Sequence, residues 1–370
     1  MRSKKTIWQL ILLVILVCAT IVLVFLGNQI FDSIKSHPRV TPSSEKVNLE
    51  TTLSQGTNLN VNKIDSKKQA SLEKLVEDLN EDKFFGAYLA VKNEKLVLAT
   101  RFGVANAKIG NVFRLNSPFV IGDLQTLYNN AMLLKLVQDS KIDLDEDVRS
   151  YLPELKMERK ITVRDLLFNK VSVFVKSKYL NEFETPDFLR KIKKSNSKDS
   201  VLANDFIKGK IISKVDNMTY ADAFESLITE KMGLTNSRVI TSNSLWTNDV
   251  LSYKYMIENK LPVQKDEIDI KTIQNSNYTI RMSLSDLALS TNKMLKSSYL
   301  NKKMAKLYKK SMPSSYKQSN GYLLSTSKSG QYIKIKTDSS GKNMLIVASN
   351  FPNKKMLLNT LLKRLQVIVY

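Results

Sequence analysis

Residues 116–153 constrain the fold more than any other part of the sequence, because they predict a long buried helix between a short strand and an aspartate-rich turn. Apolar side chains recur there at steps of three and four residues, at Leu124, Leu127, Ala131, Leu134 and Val137. This spacing places them on one buried helical face. Asp123 precedes them, and its carboxylate is suited to cap the N–H groups of the first turn. The sequence therefore predicts a helix that begins at Asp123 and packs in the centre of a domain.

Three separate segments resemble one protein superfamily. The 116–153 stretch has the strand, helix and turn order of the serine β-lactamases and penicillin-binding proteins, in particular of their class C-like branch of D-alanyl carboxypeptidases and esterases. Residues 161–167 (ITVRDLL) are similar to the next helix start of that branch, and residues 327–330 (SKSG) to its Lys-Thr/Ser-Gly strand. The resemblance covers residues 70–370 and implies an α/β (α+β) fold of the β-lactamase/transpeptidase type. In that fold, residues 70–118 and 311–370 form an antiparallel sheet flanked by helices, and residues 119–310 form an inserted all-helical lobe.

The catalytic positions of the superfamily are not kept. Where the superfamily has a nucleophilic serine at the helix start and a lysine base three residues later, this chain has Asp123 and Thr126. Leu202 replaces the tyrosine of the Tyr-x-Asn motif, while Asn204 keeps the asparagine. An ionised aspartate does not replace a serine nucleophile at neutral pH, and a threonine is not a general base. The resemblance therefore implies no catalytic residue at these degenerate positions and favours a pseudoenzyme.

Polar residues at the matching positions remain candidates for ligand binding. In the superfamily, the Lys-Thr/Ser-Gly strand binds the carboxylate of the substrate, and the next residue supplies a backbone N–H to the oxyanion. The candidates carried over to this chain are Asp123, Asn204, Lys328, Ser329, Gly330 and Gln331. Three interpretations of Asp123 stay open: a helix N-cap, an ion pair with Lys328 that excludes anionic ligands, and a nucleophile.

Single copies of cysteine and histidine limit the chemistry of the folded domain. Cys18 lies in the apolar N-terminal segment, and His37 lies in the polar stretch after it. The domain at residues 70–370 therefore has no disulfide, no Ser-His-Asp triad and no histidine-based metal site. We predict neither a metal nor any other cofactor.

The N-terminal part predicts a membrane anchor followed by a linker. Residues 7–30 are uncharged and largely apolar, and they are long enough to cross a bilayer as a helix. Arg2, Lys4 and Lys5 precede them, so the positive-inside rule predicts a cytoplasmic tail at residues 1–6. Residues 31–69 then predict an extracytoplasmic linker to the domain at residues 70–370. The predicted localisation is the cell membrane, with a single pass; a cleaved signal peptide is the alternative.

The formal net charge of +22 predicts an anionic partner. A basic extracytoplasmic domain suits a cell-wall polymer, either peptidoglycan or teichoic acid, and an envelope protein is the alternative partner. Nucleic acid, a general partner of basic chains, is not expected at such a location. The lysine-rich runs at residues 191–198 and 302–310 are either solvated faces or contacts to phosphate-rich polymers.

These features lead to one hypothesis and two alternatives. The hypothesis is a membrane-anchored extracytoplasmic pseudoenzyme of a Gram-positive cell envelope, which binds a ligand or acts as an accessory protein. The first alternative is an active serine-hydrolase-type enzyme, namely a D-alanyl esterase, a carboxypeptidase or a β-lactamase-like hydrolase. The second alternative is a structural scaffold whose cleft is closed.

Overall fold

A seven-stranded antiparallel sheet forms the centre of the protein. The computed structural model describes residues 61–157, 159–182, 189–193, 198–241, 248–255, 262–264, 280–328, 330–351 and 357–370. The described strands are β1 (Val61–Asn62), β2 (Gly86–Lys92), β3 (Lys95–Phe102), β4 (Val104–Asn106), β5 (Asn111–Val112), β6 (Phe119–Val120), β7 (Phe174–Lys176), β8 (Ser200–Leu202), β9 (Ser237–Val239), β10 (Tyr253–Tyr255), β11 (Pro262–Gln264), β12 (Ile280–Met282), β13 (Lys317–Gln318), β14 (Gly321–Lys328), β15 (Gln331–Asp338) and β16 (Met344–Ser349). The strand order in the central sheet is β1-β3-β2-β16-β15-β14-β13.

The innermost strands are apolar along almost their whole length, because both faces of the sheet are covered. β2 and β16 are buried at nearly every position, while β15 alternates between more and less buried residues. Gly86 in β2 permits a close approach of two strands, since a Cβ there would lie 2.0 Å from the carbonyl oxygen of Ala348 on β16. The strands of this sheet therefore come from two parts of the chain, residues 61–102 and 317–349.

Helices pack on both faces of the central sheet. The described α-helices are α1 (Gln69–Glu81), α2 (Gln125–Gln138), α3 (Val148–Tyr151), α4 (Val163–Leu167), α5 (Asn204–Val215), α6 (Tyr220–Phe224), α7 (Glu230–Met232), α8 (Leu284–Lys296), α9 (Lys302–Ser311) and α10 (Leu358–Val369). On one face, Leu75 of α1 and Leu365 of α10 join a hydrophobic cluster with the sheet. A larger cluster, which includes α2, covers the other face.

α2 is buried on nearly all sides rather than on one face. Ten of its 14 residues are buried, including the polar Gln125, Asn129 and Asn130. The reason is that α5 and α9 both pack against it. A short 3₁₀ turn, Gly122–Leu124, precedes α2, so that Leu124 rather than Asp123 takes the N-cap position. The N-cap interpretation of Asp123 is therefore wrong.

The chain between the two halves of the central sheet is mainly helical and also carries short strands. β6, β12 and β9 form a three-stranded sheet, and β7–β8 and β10–β11 form two separate pairs. β6 leads into the 3₁₀ turn before α2, and the N–H of Ile121 donates to the carbonyl of Ile280 at 3.1 Å. The small sheet thereby fixes the point at which α2 begins.

None of the helices in the described ranges is long and apolar enough to cross a bilayer. The longest, α2, has 14 residues. At 1.5 Å per residue it extends about 21 Å, less than the thickness of a bilayer's hydrocarbon core. This finding contradicts the single-pass membrane localisation predicted from the sequence. Residues 1–60, which include the predicted tail and span, lie outside the described part, and the described residues all belong to one unit, Val47–Tyr370.

Candidate active site

Asp123 lies where the 3₁₀ turn before α2 meets β14. Its backbone N–H donates a hydrogen bond of 3.2 Å to Oγ1 of Thr326, a side chain that is buried. The N–H at this position is therefore directed at a hydroxyl of the protein itself. A ligand oxygen that used this donor would have to replace Thr326 as the acceptor.

Thr126, one helical turn further along, contacts a charged pair. Its Oγ1 donates to Oδ1 of Asp205 at 2.9 Å, and Nζ of Lys208 donates to the same oxygen at 3.1 Å. The side chain of Lys208 is 1% exposed, whereas that of Asp205 is 33% exposed. A lysine ammonium therefore does reach the start of α2, but it comes from α5 and is bound to a carboxylate.

Asp205 and Lys208 are functional candidates that the sequence reasoning missed. Asp205 directly follows Asn204, and Lys208 lies three residues further along α5. Residues three apart on a helix share a face, so this spacing was the available signal. The superfamily motif ends at Asn204, so the resemblance did not draw attention to the two residues that follow it on α5.

A second group of buried polar side chains lies beside this pair. The hydroxyl of Tyr220 donates to Oδ1 of Asn129 at 2.6 Å, and Nε2 of Gln125 donates to the Tyr220 oxygen at 3.2 Å. Burial raises the pKa of Tyr220, so its phenol is neutral at physiological pH. These hydrogen bonds account for Gln125 and Asn129 on the buried surface of α2, while Nδ2 of Asn130 donates to Oγ of Ser311 at 3.1 Å.

Leu202 and Asn204 have different environments, although they are two residues apart. Leu202 ends β8 and is 49% exposed. Asn204 is 2% exposed. Its Oδ1 accepts from the N–H of Val173 at 2.9 Å, and its Nδ2 donates to the carbonyl of Val171 at 2.9 Å. Asn204 therefore secures the backbone that enters β7, and its binding of a ligand stays a prediction.

The β14–β15 hairpin carries the other predicted ligand-binding residues. Lys328 pairs with Gln331 across the hairpin, and Gly330 adopts a left-handed φ of 70°. Ser329 and the side chain of Lys328 lie outside the described part of the chain. The ion pair between Asp123 and Lys328 therefore stays a prediction.

The side chain of Gln331 links three parts of the structure. Gln331 is fully buried at the start of β15. Its Oε1 accepts from the N–H of Val120 on β6 at 2.7 Å, and its Nε2 donates to the carbonyl of Val250 at 2.8 Å. The side chain thus holds β15 against the strand that leads into α2. The predicted contribution of the Gln331 backbone N–H to a ligand stays a prediction.

Tyr316 places a neutral phenol near the same carboxylates. Its hydroxyl donates to the carbonyl of Ser325 at 3.2 Å. Burial raises the pKa of Tyr316 to about 12, and the negative charges of Asp123 and Asp205 act in the same direction. This phenol therefore keeps its proton at neutral pH.

A cavity of about 450 Å³ lies beside Asp123. Side chains of two neighbouring strands line it together with Asp123, namely Ser325, Thr326, Ser327, Tyr332 and Lys334. Cavities of this size accommodate small ligands. Of the described residues around the start of α2, Asp123 lines this cavity, whereas Thr126, Asn204 and Asp205 do not.

The polar side chains described around the start of α2 bind one another. A nucleophilic hydroxyl needs a base that takes its proton. The hydroxyl of Thr126 is directed at Asp205, and that carboxylate already binds the ammonium of Lys208. Within the described ranges, no group of three His, Cys, Asp or Glu side chains is placed to hold a metal ion.

Comparison with curated proteins identifies relatives that share one name and come from Staphylococcus aureus. The teichoic acid D-alanine hydrolase of Staphylococcus aureus (strain MRSA252) is 22% identical over 266 residues, which are 66% of this chain and 65% of that relative. The protein of the same name from S. aureus strain NCTC 8325 / PS 47 is 23% identical over 180 residues, 46% of this chain and 44% of the relative. The chain thus spans less than two thirds of the length of these relatives.

Solved structures show the same fold at low sequence identity. FmtA from Staphylococcus aureus superposes with a TM-score of 0.65 at 16% identity, over 86% of this chain and 93% of that chain. A penicillin-binding protein from Bacillus halodurans gives 0.61 at 14% identity, over 79% and 98%. A class C β-lactamase gives 0.57 at 16% identity, over 81% and 94%. The fold class predicted from the sequence is confirmed.

The family itself is identified by a sequence model described as Beta-lactamase, which matches residues 72–318. This range includes the 3₁₀ turn at Asp123, α2 and the Asp205–Lys208 pair. The superfamily resemblance predicted from the sequence is therefore confirmed. Because the match covers well over half of its length, the chain belongs to the β-lactamase family.

Proposed function

We propose that this protein is a non-catalytic member of the β-lactamase family that binds a D-alanylated cell-wall polymer of the teichoic acid type beside Asp123. One observation carries the proposal. The hydroxyl of Thr126, the carboxylate of Asp205 and the ammonium of Lys208 satisfy one another at 2.9 Å and 3.1 Å. They do so at the helix position where the superfamily pattern has its lysine base.

Acyl transfer at this site lacks a suitable path for the proton. Attack by the Asp123 carboxylate would form a reactive mixed anhydride in place of an acyl ester. Attack by the Thr126 hydroxyl would transfer its proton to Asp205, and the ammonium of Lys208 would then be buried without its counter-charge. The arrangement therefore favours binding of an ester without cleavage.

Three features support the choice of polymer. The curated relatives are named teichoic acid D-alanine hydrolases. The net charge of +22 favours a polyanionic partner. The carboxylate of Asp123 lines the cavity and supplies a negative charge for the ammonium group of a D-alanyl ester.

The test combines covalent capture with equilibrium binding. The purified full-length protein is incubated with a fluorescent penicillin and, separately, with D-alanylated teichoic acid. We expect no covalent label and no D-alanine release above the buffer rate, together with saturable polymer binding. Asp123→Asn should weaken this binding about tenfold, since a hydrogen bond to a charged group contributes about 1.5 kcal/mol.

The matched control is Glu77→Gln, which removes an exposed carboxylate of α1 that does not line the cavity. It should leave polymer binding unchanged. Covalent penicillin labelling, or D-alanine release that Asp123→Ala or Thr126→Val abolishes, would show an active enzyme and overturn the proposal. Failure of the folded protein to bind the polymer would overturn the assigned ligand.

A further inference from the structure

α9 presents its lysines on an outer face. The helix contains five lysines in ten residues and no acidic residue (KKMAKLYKKS). Its inward side chains include Met304, Ala305 and Tyr308, which pack in the larger hydrophobic cluster. Burial of one side of the helix thus directs the positive charges to the other side.

Five lysines line a groove of about 420 Å³ along this outer face. They are Lys302, Lys306, Lys309 and Lys310 of α9 and Lys317 of β13, and we call this surface the lysine groove. The other residues that line it are Ser297 and Ala305. Among the described residues, therefore, no carboxylate faces the groove.

The lysines of the groove make no ion pair with a described carboxylate, although Lys306 and Lys310 also line a second cavity of about 820 Å³ together with Asp143 and Asp145. Nζ of Lys309 donates to the carbonyl of Ser339 at 3.0 Å, and Nζ of Lys317 donates to the carbonyl of Lys310 at 3.1 Å. These neutral acceptors orient the ammonium groups without cancelling their charge. No ion pair between described residues includes a lysine of the groove. Because like charges held close together repel, a bound anion would stabilise this surface.

Three of the groove lysines form a row along α9. Lys302, Lys306 and Lys310 are four residues apart and therefore share a face of the helix. Successive members of the row lie about 6 Å apart along the helix axis. A linear polymer with repeated phosphates can contact all three in series, whereas a small anion contacts one or two. The row therefore suits a polyanionic chain.

The groove lacks the features that other phosphate-rich partners require. A helix that enters a lipid interface exposes large apolar residues, and single-stranded nucleic acid binds by stacking on aromatic side chains. No large apolar residue of α9 is exposed, and its aromatic residue, Tyr308, is buried. These observations favour a polymer without bases over a membrane or a nucleic acid.

We propose that the lysine groove binds the phosphodiester backbone of a linear polyol phosphate. Lys317 is adjacent in sequence to Tyr316, whose hydroxyl donates to Ser325 at the edge of the cavity beside Asp123. One polymer chain can therefore contact the groove and the cavity. The identity of the polymer rests on the proposed function, but the groove is a separate surface and needs no D-alanyl ester.

The test uses poly(glycerol phosphate) from which D-alanine has been removed. The affinity of the full-length protein is measured over a series of salt concentrations. The logarithm of the affinity should fall linearly with the logarithm of salt, with a slope of roughly 0.7 to 0.9 for each phosphate contacted. The triple variant K302Q/K306Q/K310Q should lose about two to three units of this slope and at least about tenfold in affinity.

The matched control K63Q/K67Q/K74Q removes the same charge from exposed positions. Lys63 follows β1, Lys67 lies in a 3₁₀ turn before α1 and Lys74 lies in α1; β1 is the sheet edge opposite to β13. The control should keep the slope and stay within about twofold of the wild-type affinity, since its lysines contact no phosphate. Circular dichroism establishes that both triple variants are folded.

Two results would overturn the proposal. Equal losses in the two triple variants would show a general attraction of a basic protein for a polyanion. Tighter binding to anionic vesicles or to single-stranded DNA of equal charge would assign the groove to one of those partners. Failure of the proposed binding beside Asp123 would appear separately, as polymer binding that depends neither on D-alanine nor on Asp123.

Discussion

Asp205 binds two polar partners at one carboxylate oxygen beside α2. The hydroxyl of Thr126 donates to this oxygen at 2.9 Å and the ammonium of Lys208 at 3.1 Å. Lys208 is buried while Asp205 is one-third exposed. If the pair were separated, water could still solvate the carboxylate, whereas the ammonium would be left buried without a counter-charge. Any side chain introduced at position 126 will therefore lie close to this negative charge.

Restoration of the family's serine and lysine should not by itself restore acylation. In the variant D123S/T126K, the new ammonium would lie near the Asp205 carboxylate, which raises the pKa of a lysine and keeps it protonated. A protonated lysine cannot take the proton of the serine. Addition of D205N removes the charge and leaves an amide oxygen for Lys208. We expect D123S/T126K/D205N to be labelled by fluorescent penicillin at least about tenfold faster than D123S/T126K, which corresponds to one pKa unit.

The control for this comparison is D123S/T126K/E77Q, which removes a distant exposed carboxylate. It should be labelled as slowly as the double variant. Intact-protein mass spectrometry measures the acyl adduct, and thermal unfolding shows whether each variant is folded. Equal labelling of the double and triple variants would mean that Asp205 does not control the protonation of a lysine at position 126.

At the scale of elements, the main helix and strands could be predicted because their signals are local in sequence. The spacing of apolar residues predicted α2, and the resemblance of residues 327–330 to the superfamily's strand predicted the end of β14. The site could not be predicted in this way, because Thr126 and Asp205 are 79 residues apart in sequence. A hydrogen bond between side chains of two different helices leaves no periodic pattern. The 3₁₀ turn was missed for a related reason, since Asp123 is as compatible with a first turn as with an N-cap.

Gln331 offers a test of how three elements are held together near the site. Gln331→Ala would leave the N–H of Val120 and the carbonyl of Val250 without these partners in a buried environment. Each buried unsatisfied group costs about 1–3 kcal/mol, so we expect the free energy of unfolding to fall by about 2–4 kcal/mol. Urea unfolding measures this loss. Gln318→Ala, at an exposed site on the edge strand β13, should change stability by less than about 0.5 kcal/mol. Similar small losses in both variants would contradict a linking role for Gln331.

At the scale of the whole molecule, a net charge of +22 makes stability depend on carboxylates that stay ionised in the folded state. The guanidinium of Arg149 lowers the pKa of Asp147, against the effect of burial. The pKa of Asp338 is also lowered: burial acts to raise it, but hydrogen bonds from Ser340 and Asn343 outweigh burial. Protonation of such groups removes their hydrogen-bonding charge and at the same time adds to the positive charge of the protein.

Acidification should therefore destabilise the protein, and Asp338 should account for a measurable part of the effect. The ordinary pKa of the Asp338 carboxyl is 3.8, and in the folded state the pKa is lower. Between the two values the unfolded chain binds more protons, so the free energy of unfolding falls as the pH falls through this window. Asp286 acts in the opposite sense, because burial raises its pKa and the folded state takes up its proton first.

We expect Asp338→Asn to lower the free energy of unfolding most above about pH 5, where the wild-type carboxylate is ionised in both states. The difference between variant and wild type should shrink as the pH falls through the folded pKa of Asp338, because the wild type then loses the same charge. Urea unfolding at a series of pH values measures it. Glu77→Gln, at an exposed position, serves as the control and should run parallel to the wild type. A difference between Asp338→Asn and the wild type that stays constant with pH would show that the shape of the side chain, rather than its charge, stabilises the turn between β15 and β16.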